Sequence, residues 1–244
     1  MIETLVALLF AHAMADFVLQ PDWMAKDKTK PKAILLHTLI VLITAQAALG
    51  QWTWPVLVLA AIHGTTDWIK ARFAPANFAA FMADQCIHVL TLIAFAMWQH
   101  SLWSTGLWAQ VVPSQHTDLM LYSMLILCGG ILTISAGGFA IGLLMRRFSY
   151  RLPNIGLTRG GQLIGQLERG LIFFFVIVNQ PAGIGFLIGA KSVMRFGTTT
   201  KDQRASEYVI IGTLASFGWA LAVSYLIVFV GNLLPPLEVM PTSN

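Results

Sequence analysis

Eight apolar runs divide this chain, at residues 2–20, 32–49, 54–71, 78–98, 119–145, 161–179, 182–195 and 207–231. Most approach the ~20 residues with which a helix crosses the roughly 30 Å hydrocarbon core of a bilayer. The pattern predicts an all-α integral membrane protein of about eight transmembrane helices. The seventh run is the exception. Its fourteen residues rise only about 21 Å as a helix. It is expected either to lie tilted in a thinned region or to pair with the sixth as a re-entrant hairpin. Asn179, Gln180, Pro181 and Gly183 would make that turn.

The fifteen Lys and Arg residues fall almost entirely between the runs. Lys26, Lys28, Lys30 and Lys32 follow the first run, and Lys70 with Arg72 the third. Arg146, Arg147, Arg151 and Arg159 follow the fifth; Lys191, Arg195, Lys201 and Arg204 follow the seventh. Lys32, Lys70, Lys191 and Arg195 overlap the end turns of their runs, only Arg169 lies deep within one, and the connections after runs two, four and six carry no Lys or Arg. The positive-inside rule therefore places the four basic connections in the cytoplasm and both termini outside. The net charge of +4 follows from this placement, so no nucleic-acid partner is inferred. With 57% hydrophobic and 11% charged residues and a mean hydropathy of +0.71, no segment is polar enough for a separate soluble domain. Cys86 and Cys128 both sit in runs, which suggests no disulfide framework. Ala13-Met14-Ala15 looks like a signal-peptide cleavage site, but the run before it carries Glu3 and no basic residue, so it is expected to be retained.

Within the apolar runs one polar pattern occurs twice. His12, Asp16 and His37 recur 51 positions later as His63, Asp67 and His88. Ionisable groups inside membrane helices are costly and mark function by default. The duplication suggests two helical hairpins, runs one–two and three–four, related by an approximate two-fold axis along the membrane normal. Three regions result: residues 1–100 as a duplicated-hairpin bundle carrying the site, 101–118 as an external connection, and 119–244 as a C-terminal transmembrane half. Trp103 and Trp108 in the connection suit an interfacial aromatic belt, and His100, His116 and Asp118 read as solvated loop residues.

Spacing of four puts His12 and Asp16 on one helix face, and likewise His63 and Asp67. Asp84 and His88 are also four apart, in reversed order on an antiparallel helix, so each Asp lies nearer the basic connections than its His. His37 falls about a turn and a half beyond Pro31, at similar depth. Three carboxylates and four imidazoles thus converge among four helices. Such a donor set suits Zn, Fe or Mn, and inward ligands from four helices follow the logic of di-metal carboxylate bundles. Seven donors suffice for one or two ions with an open position. The plain alternative is interhelical hydrogen bonding; a proton or ion relay is another. Gln85 is expected to point about 100° away from Asp84, and Gln20, Asp22 and Trp23 read as interfacial packing.

In the second half, Glu168 and Arg169 are sequence neighbours on one helix and face different partners. Lys191 and Arg195 share a helix face, and Glu207 is placed to neutralise one of them. These charges read either as ion pairs or, through Arg169, Lys191 and Arg195, as a basic pocket for a lipid head group.

The segment His12-x-x-x-Asp16-Phe17-x-Leu19-Gln20 with Trp23 and Lys26, then His37, His63-x-x-x-Asp67-Trp68-x-Lys70 and Asp84-Gln85-x-x-His88, resembles a bacterial membrane-protein family known only as domain of unknown function 3307. Gly165-x-Leu167-Glu168-Arg169, Lys191-x-x-x-Arg195 and Glu207-Tyr208 through Gly212-Thr213 are similar as well. The resemblance implies a bacterial inner-membrane location and brings no activity.

The residues themselves favour a metal-dependent hydrolase acting on a lipid or lipid-linked substrate at the cytoplasmic half of the bilayer. Its metal ligands would be His12, Asp16, His37, His63, Asp67, Asp84 and His88. Asp84, which has no counterpart in the first copy (Ala33), would serve as general base. The competing expectations are a divalent-cation or proton transporter, against which the helices of the first four runs, free of internal breaks, argue, and a non-catalytic membrane scaffold.

Overall fold

A computed structural model of the chain describes residues 1–148, 159–196 and 203–236, with backbone alone for Gln115, Met194, Arg195 and Phe196. All regular structure among them is helical. The helices are α1 (Ile2–Phe17), α2 (Asp22–Lys26), α3 (Pro31–Leu49), α4 (Trp54–Phe73), α5 (Phe78–Trp98), α6 (Leu107–Val111), α7 (Ser114–Ile131), a π-helical segment (Leu132–Ala136), α8 (Gly137–Met145), α9 (Gly160–Ile177), α10 (Pro181–Phe196) and α11 (Gln203–Gly231). Every apolar run of the sequence is thus helical. The stretches Pro31–Leu49, Phe78–Trp98, His116–Met145 and Gln203–Gly231 are long and apolar enough to cross a membrane. The others fall short for visible reasons. α1 has 16 residues, about 24 Å of rise. α4 ends in Lys70 and Arg72, and α9 carries Glu168 and Arg169.

The described residues form two compact units: Met1–Ile131 with the described residues from Phe229 on, and Leu132–Val228. In the first unit α1 packs against α3, α5 and α7, α3 against α4, and α4 against α5. The helices α1, α3, α4 and α5 therefore close a four-membered ring. Local signals set their ends. Proline opens α3 and α4 in the first turn, where its missing N–H is no loss. Asn77 caps α5 by accepting the Ala80 N–H at 2.9 Å. Gly50 ends α3 in the left-handed conformation (φ +69°), with the Trp108 indole lying where a Cβ would project.

The ring is polar within and apolar without. Leu35, Leu36, Leu39 and Ile43 on α3 and Ile87, Leu90, Ile93 and Met97 on α5 are exposed, whereas the histidines and Asp67 and Asp84 are buried. A soluble bundle has the reverse polarity. Small residues let the helices approach closely: Ala7, Ala11, Ala15, Ala45 and Ala60 are buried, and Gly64 sits so near the Thr38 side chain that a Cβ would collide with its hydroxyl.

Residues 99–113 are tied to the ring by hydrogen bonds. Thr4, fully buried, donates its hydroxyl to the His100 carbonyl (3.1 Å) and accepts the Trp103 N–H (3.2 Å). Trp103 is buried, and the Trp108 indole N–H donates to the Ala47 carbonyl at 2.9 Å. Both tryptophans therefore fasten this connection to the ring.

The second unit centres on Arg169. A π-helical turn widens the helix and disturbs its carbonyl ladder, and carbonyls in an apolar interior need donors. Here side chains supply them. Arg169 donates through Nε to the Thr133 carbonyl (3.0 Å) and through Nη2 to the Ile134 carbonyl (2.9 Å). The Trp219 indole N–H donates to the Leu132 carbonyl (3.0 Å). Gly137, Gly138 and Gly165 leave room for the guanidinium and its stem. Ile172, Val176, Ile184, Phe217 and Ala220 form the apolar core joining α9, α10 and α11.

Candidate metal centre

Four helices deliver the six repeated residues and Asp84 to one place inside the ring. α1 brings His12 and Asp16, α3 brings His37, α4 brings His63 and Asp67, and α5 brings Asp84 and His88. His37 is 0% exposed and Asp67 1%, and none of the seven side chains exceeds 6%. The i, i+4 spacing puts the pair on each helix on one face, as the sequence suggested.

Each repeated Asp meets the two histidines of its own copy. In the first copy Asp16 lies 3.7 Å from His12 Nδ1 and 3.4 Å from His37 Nε2. In the second, Asp67 lies 3.5 Å from His63 Nε2 and 3.6 Å from His88 Nε2. Contacts between the copies are as short: His63 to Asp16 at 3.3 Å, His37 to Asp67 at 3.1 Å, and the His37 and His63 Nε2 atoms at 3.2 Å. Asp84 lies 3.4 Å from His88.

Most of these separations exceed the ~2.7–3.2 Å usual for N–H···O hydrogen bonds. They suit a different geometry. Two donors each about 2.1 Å from a tetrahedral cation stand roughly 3.4 Å apart. Three sets each bring one ligand atom per residue to within 4.8 Å of the others: His12–Asp16–His63, His37–His63–Asp67 and Asp67–Asp84–His88. His63 and Asp67 are each shared by two sets.

The unpaired atoms point the same way. Both ring nitrogens of His12, Nε2 of His88 and the Oδ1 atoms of Asp16, Asp67 and Asp84 are buried without a hydrogen-bond partner. Buried polar atoms are costly to leave unsatisfied. Imidazole nitrogens beside carboxylate oxygens are the donor chemistry of a divalent transition metal, so the residues present fit such an ion.

Partners that the sequence reading had not assigned complete the site. The Lys28 ammonium donates to Asp67 Oδ2 at 2.6 Å, and the Lys70 ammonium to Asp84 Oδ2 at 2.6 Å. Gln85 turns back to donate to the same Asp84 oxygen at 3.2 Å, correcting the expectation that it points away. The Gln20 amide nitrogen and His37 Nδ1 lie 2.9 Å apart, so Gln20 belongs to the site and not to interfacial packing. Amide orientation is interchangeable in such a contact. With its oxygen on the Nδ1–H, Gln20 would leave the His37 Nε2 lone pair facing the centre.

A polarity gradient runs along the ring. The two lysines stand at one end, then the carboxylates, then the imidazoles. Beyond His12, His63 and His88 lies a small cavity whose lining includes Leu8, Leu59 and Leu92, each one turn from one of those histidines.

Residues 4–117 match the family described as "Protein of unknown function (DUF3307)". The DUF3307 stretch runs from α1 into α7 and holds all seven candidate ligands with Gln20, Lys28, Lys70 and Gln85. The similar segments around Glu168, Lys191 and Glu207 lie beyond it. No curated protein and no solved structure matches the chain.

Glu168, Arg169, Lys191 and Glu207 are engaged within the second unit. Besides its two carbonyls, Arg169 donates through Nη1 to Ser216 Oγ at 3.2 Å. Lys191 donates to Glu168 Oε2 at 2.6 Å and stands 5.2 Å from the centre of the Phe217 ring. Gln203 donates to Glu207 at 2.9 Å. The Arg195 side chain lies outside the described residues.

Proposed function

We propose that the ring α1–α3–α4–α5 is the metal centre of a membrane-embedded hydrolase acting on a lipid or lipid-linked ester. The observation that carries this reading is the combination of near-tetrahedral His–Asp separations with six buried, unpartnered donor atoms on five of the seven side chains. Hydrogen bonding alone would have closed those gaps. The ions implied are Zn, Fe or Mn, one or two in number. When bound, a divalent cation lowers the pKa of a water and polarises the ester oxygen.

The chain's own residues supply the rest. His63 and Asp67, shared between ligand sets, tie the copies together. Asp84 is held at Oδ2 by Lys70 and Gln85 and is unpartnered at Oδ1, so Oδ1 is placed to take a proton from the attacking water. The gradient from lysines to leucines would admit a polar head from one end and exclude bulk water at the other.

We further infer that all eight long helices lie in the membrane and that the two hairpins descend from one duplicated unit. The recurrence of His12, Asp16 and His37 at a constant offset of 51 as His63, Asp67 and His88 supports the duplication. The placement of Lys and Arg supports cytoplasmic basic connections and external termini. A bacterial inner membrane is the location this reading favours.

A transport reading rests on the contacts running from Lys28 through Asp67 and His37 to His63. Beyond the imidazoles the cavity lining is mainly apolar, with Leu8, Leu59 and Leu92 beside a single Thr91, which favours hydrolysis over passage of a hydrated ion. Elemental analysis of gently purified protein tests the central point. A transition metal near one or two equivalents is expected, and a content near zero would remove the proposal. Proteoliposome uptake separates transport, since a hydrolase moves no ion.

A further inference from the structure

We propose that the group received at this centre is a phosphoryl group, held by Lys28 and Lys70. The inference rests on the metal-centre reading and names its substrate class.

The first argument is charge. With neutral imidazoles, Asp16, Asp67 and Asp84 with Lys28 and Lys70 leave a single net negative charge. One divalent cation converts that to one positive charge, and two convert it to three. A net charge in a buried, low-dielectric site is costly unless paired. A carboxylic ester or an amide brings no charge to offset it. A phosphate monoester or diester brings one or two, and its three or two non-bridging oxygens accept hydrogen bonds from cations.

The second argument is geometry. Lys28 comes from the connection between α2 and α3, and Lys70 from the last turn of α4. Both ammoniums nevertheless reach the same end of the ligand cluster. Lys28 is largely buried, at 12% exposure, and Lys70 is half-buried at 34%. Each lysine occupies the Oδ2 atom of its aspartate, while Oδ1 of both aspartates is unpartnered. Lys70 therefore leaves Asp84 Oδ1 free to act as a base, while Lys28 shares Asp67 Oδ2 with the His37 and His63 rings. An ammonium has three N–H donors, and one from each is committed to its aspartate. The remaining donors of two ammoniums flank the mouth of the centre, as a tetrahedral anion requires.

The third argument is access. Lys26, Lys32 and Arg72 surround this end in exposed positions, which raises the local concentration of anions. The opposite end is lined mainly by apolar side chains, Leu8, Leu59 and Leu92 among them. In hydrolysis the water oxygen forms a new P–O bond as the bond from phosphorus to the leaving oxygen breaks. Asp84 Oδ1 takes a water proton, and the departing alkoxide receives it to leave as the alcohol.

The phosphoryl group has two possible sources, a soluble phosphate ester or a lipid head group. The test uses the full chain in nanodiscs, with metal content measured on each sample. Radiolabelled inorganic phosphate is the binding probe, in neutral phosphatidylcholine nanodiscs. Phosphate is expected to bind the metal-loaded protein and to bind about tenfold more weakly to Lys28→Gln and Lys70→Gln with metal content retained. Lys28→Arg and Lys70→Arg, which keep the charge, are expected to bind phosphate. Hydrolysis of p-nitrophenyl phosphate would assign a soluble source, and release of phosphate from phosphatidate in the nanodisc a lipid one; either supports the proposal. Metal-loaded protein that ignores phosphate and cleaves only p-nitrophenyl butyrate would overturn it and leave the metal reading standing. Phosphate binding unchanged in both glutamine variants would overturn it too. A metal content near zero would instead overturn the reading on which it rests.

Discussion

Two buried polar clusters, one in each unit, satisfy their charges in different ways. Around Arg169 the contacts are closed. The guanidinium makes three hydrogen bonds, two of them to carbonyls of the π-helical turn, and Lys191 sits 2.6 Å from Glu168. Thr133 Oγ1 is the one unpartnered buried side-chain atom there among the described residues. Around His63 and Asp67 the contacts stay open. Six donor atoms of His12, Asp16, Asp67, Asp84 and His88 have no partner, although carboxylates and imidazoles stand only 3.1–3.7 Å apart. Both clusters are equally expensive to bury. One is complete as folded, and the other, on the proposed reading, is completed by a cation.

That contrast can be broken most sharply at the shared ligands. His63→Ala and Asp67→Ala each remove a donor from two sets, and ligand loss exceeds the roughly 10–100-fold cost of losing an outer partner. Metal affinity is therefore expected to fall by more than about a hundredfold, measured by competition with a chromophoric chelator. Chelation of the wild type should lower its melting temperature, because a bound ion stabilises the folded state, and should leave that of His63→Ala unchanged. Retained metal in either variant would place the ion elsewhere.

Arg169→Met should do the converse. It strands two backbone carbonyls in an apolar unit, at about 1–3 kcal/mol each. A loss of about 3 kcal/mol in unfolding free energy is expected with metal content unchanged; a variant that loses its metal would show that the clusters are not separate devices.

Gln20→Ala sharpens the comparison at the edge of the open cluster. It removes the group that orients His37, so metal affinity should fall by about 10–100-fold, with little change in stability. Unchanged affinity would return Gln20 to a packing role. The smallest effect is expected from Gly64→Ala. Its methyl group collides with Thr38, and overpacking of this kind costs about 1–3 kcal/mol. Because the α3–α4 separation also sets the 3.2 Å approach of His37 to His63, a modest loss of metal affinity should accompany it.

The open cluster was legible in the sequence because its residues are rigidly indexed by helices. His12 and Asp16, like His63 and Asp67, are four apart in apolar runs, and repetition at an offset of 51 raised them above chance. The helices themselves followed from the length and hydropathy of the runs. What escaped was carried by long or local side chains and by backbone. Lys28 and Lys70 read as topology signals, since a pattern does not show where a flexible four-carbon stem ends. Gln20 lies beyond the end of α1 and Gln85 off the ligand face, and each reaches back. Nothing local marks the Thr4 contact of Trp103. The partners of Arg169 are carbonyls freed by a π-helical turn, and no side-chain pattern announces those.

The most direct measurement is anomalous scattering from crystals of gently purified protein, collected across the absorption edges of Mn, Fe and Zn. The account predicts a peak inside the ring of α1, α3, α4 and α5, about 2.0–2.2 Å from ligand atoms of His63 or Asp67. A map with no peak there, and with these seven side chains turned to separate hydrogen-bond partners, would contradict it.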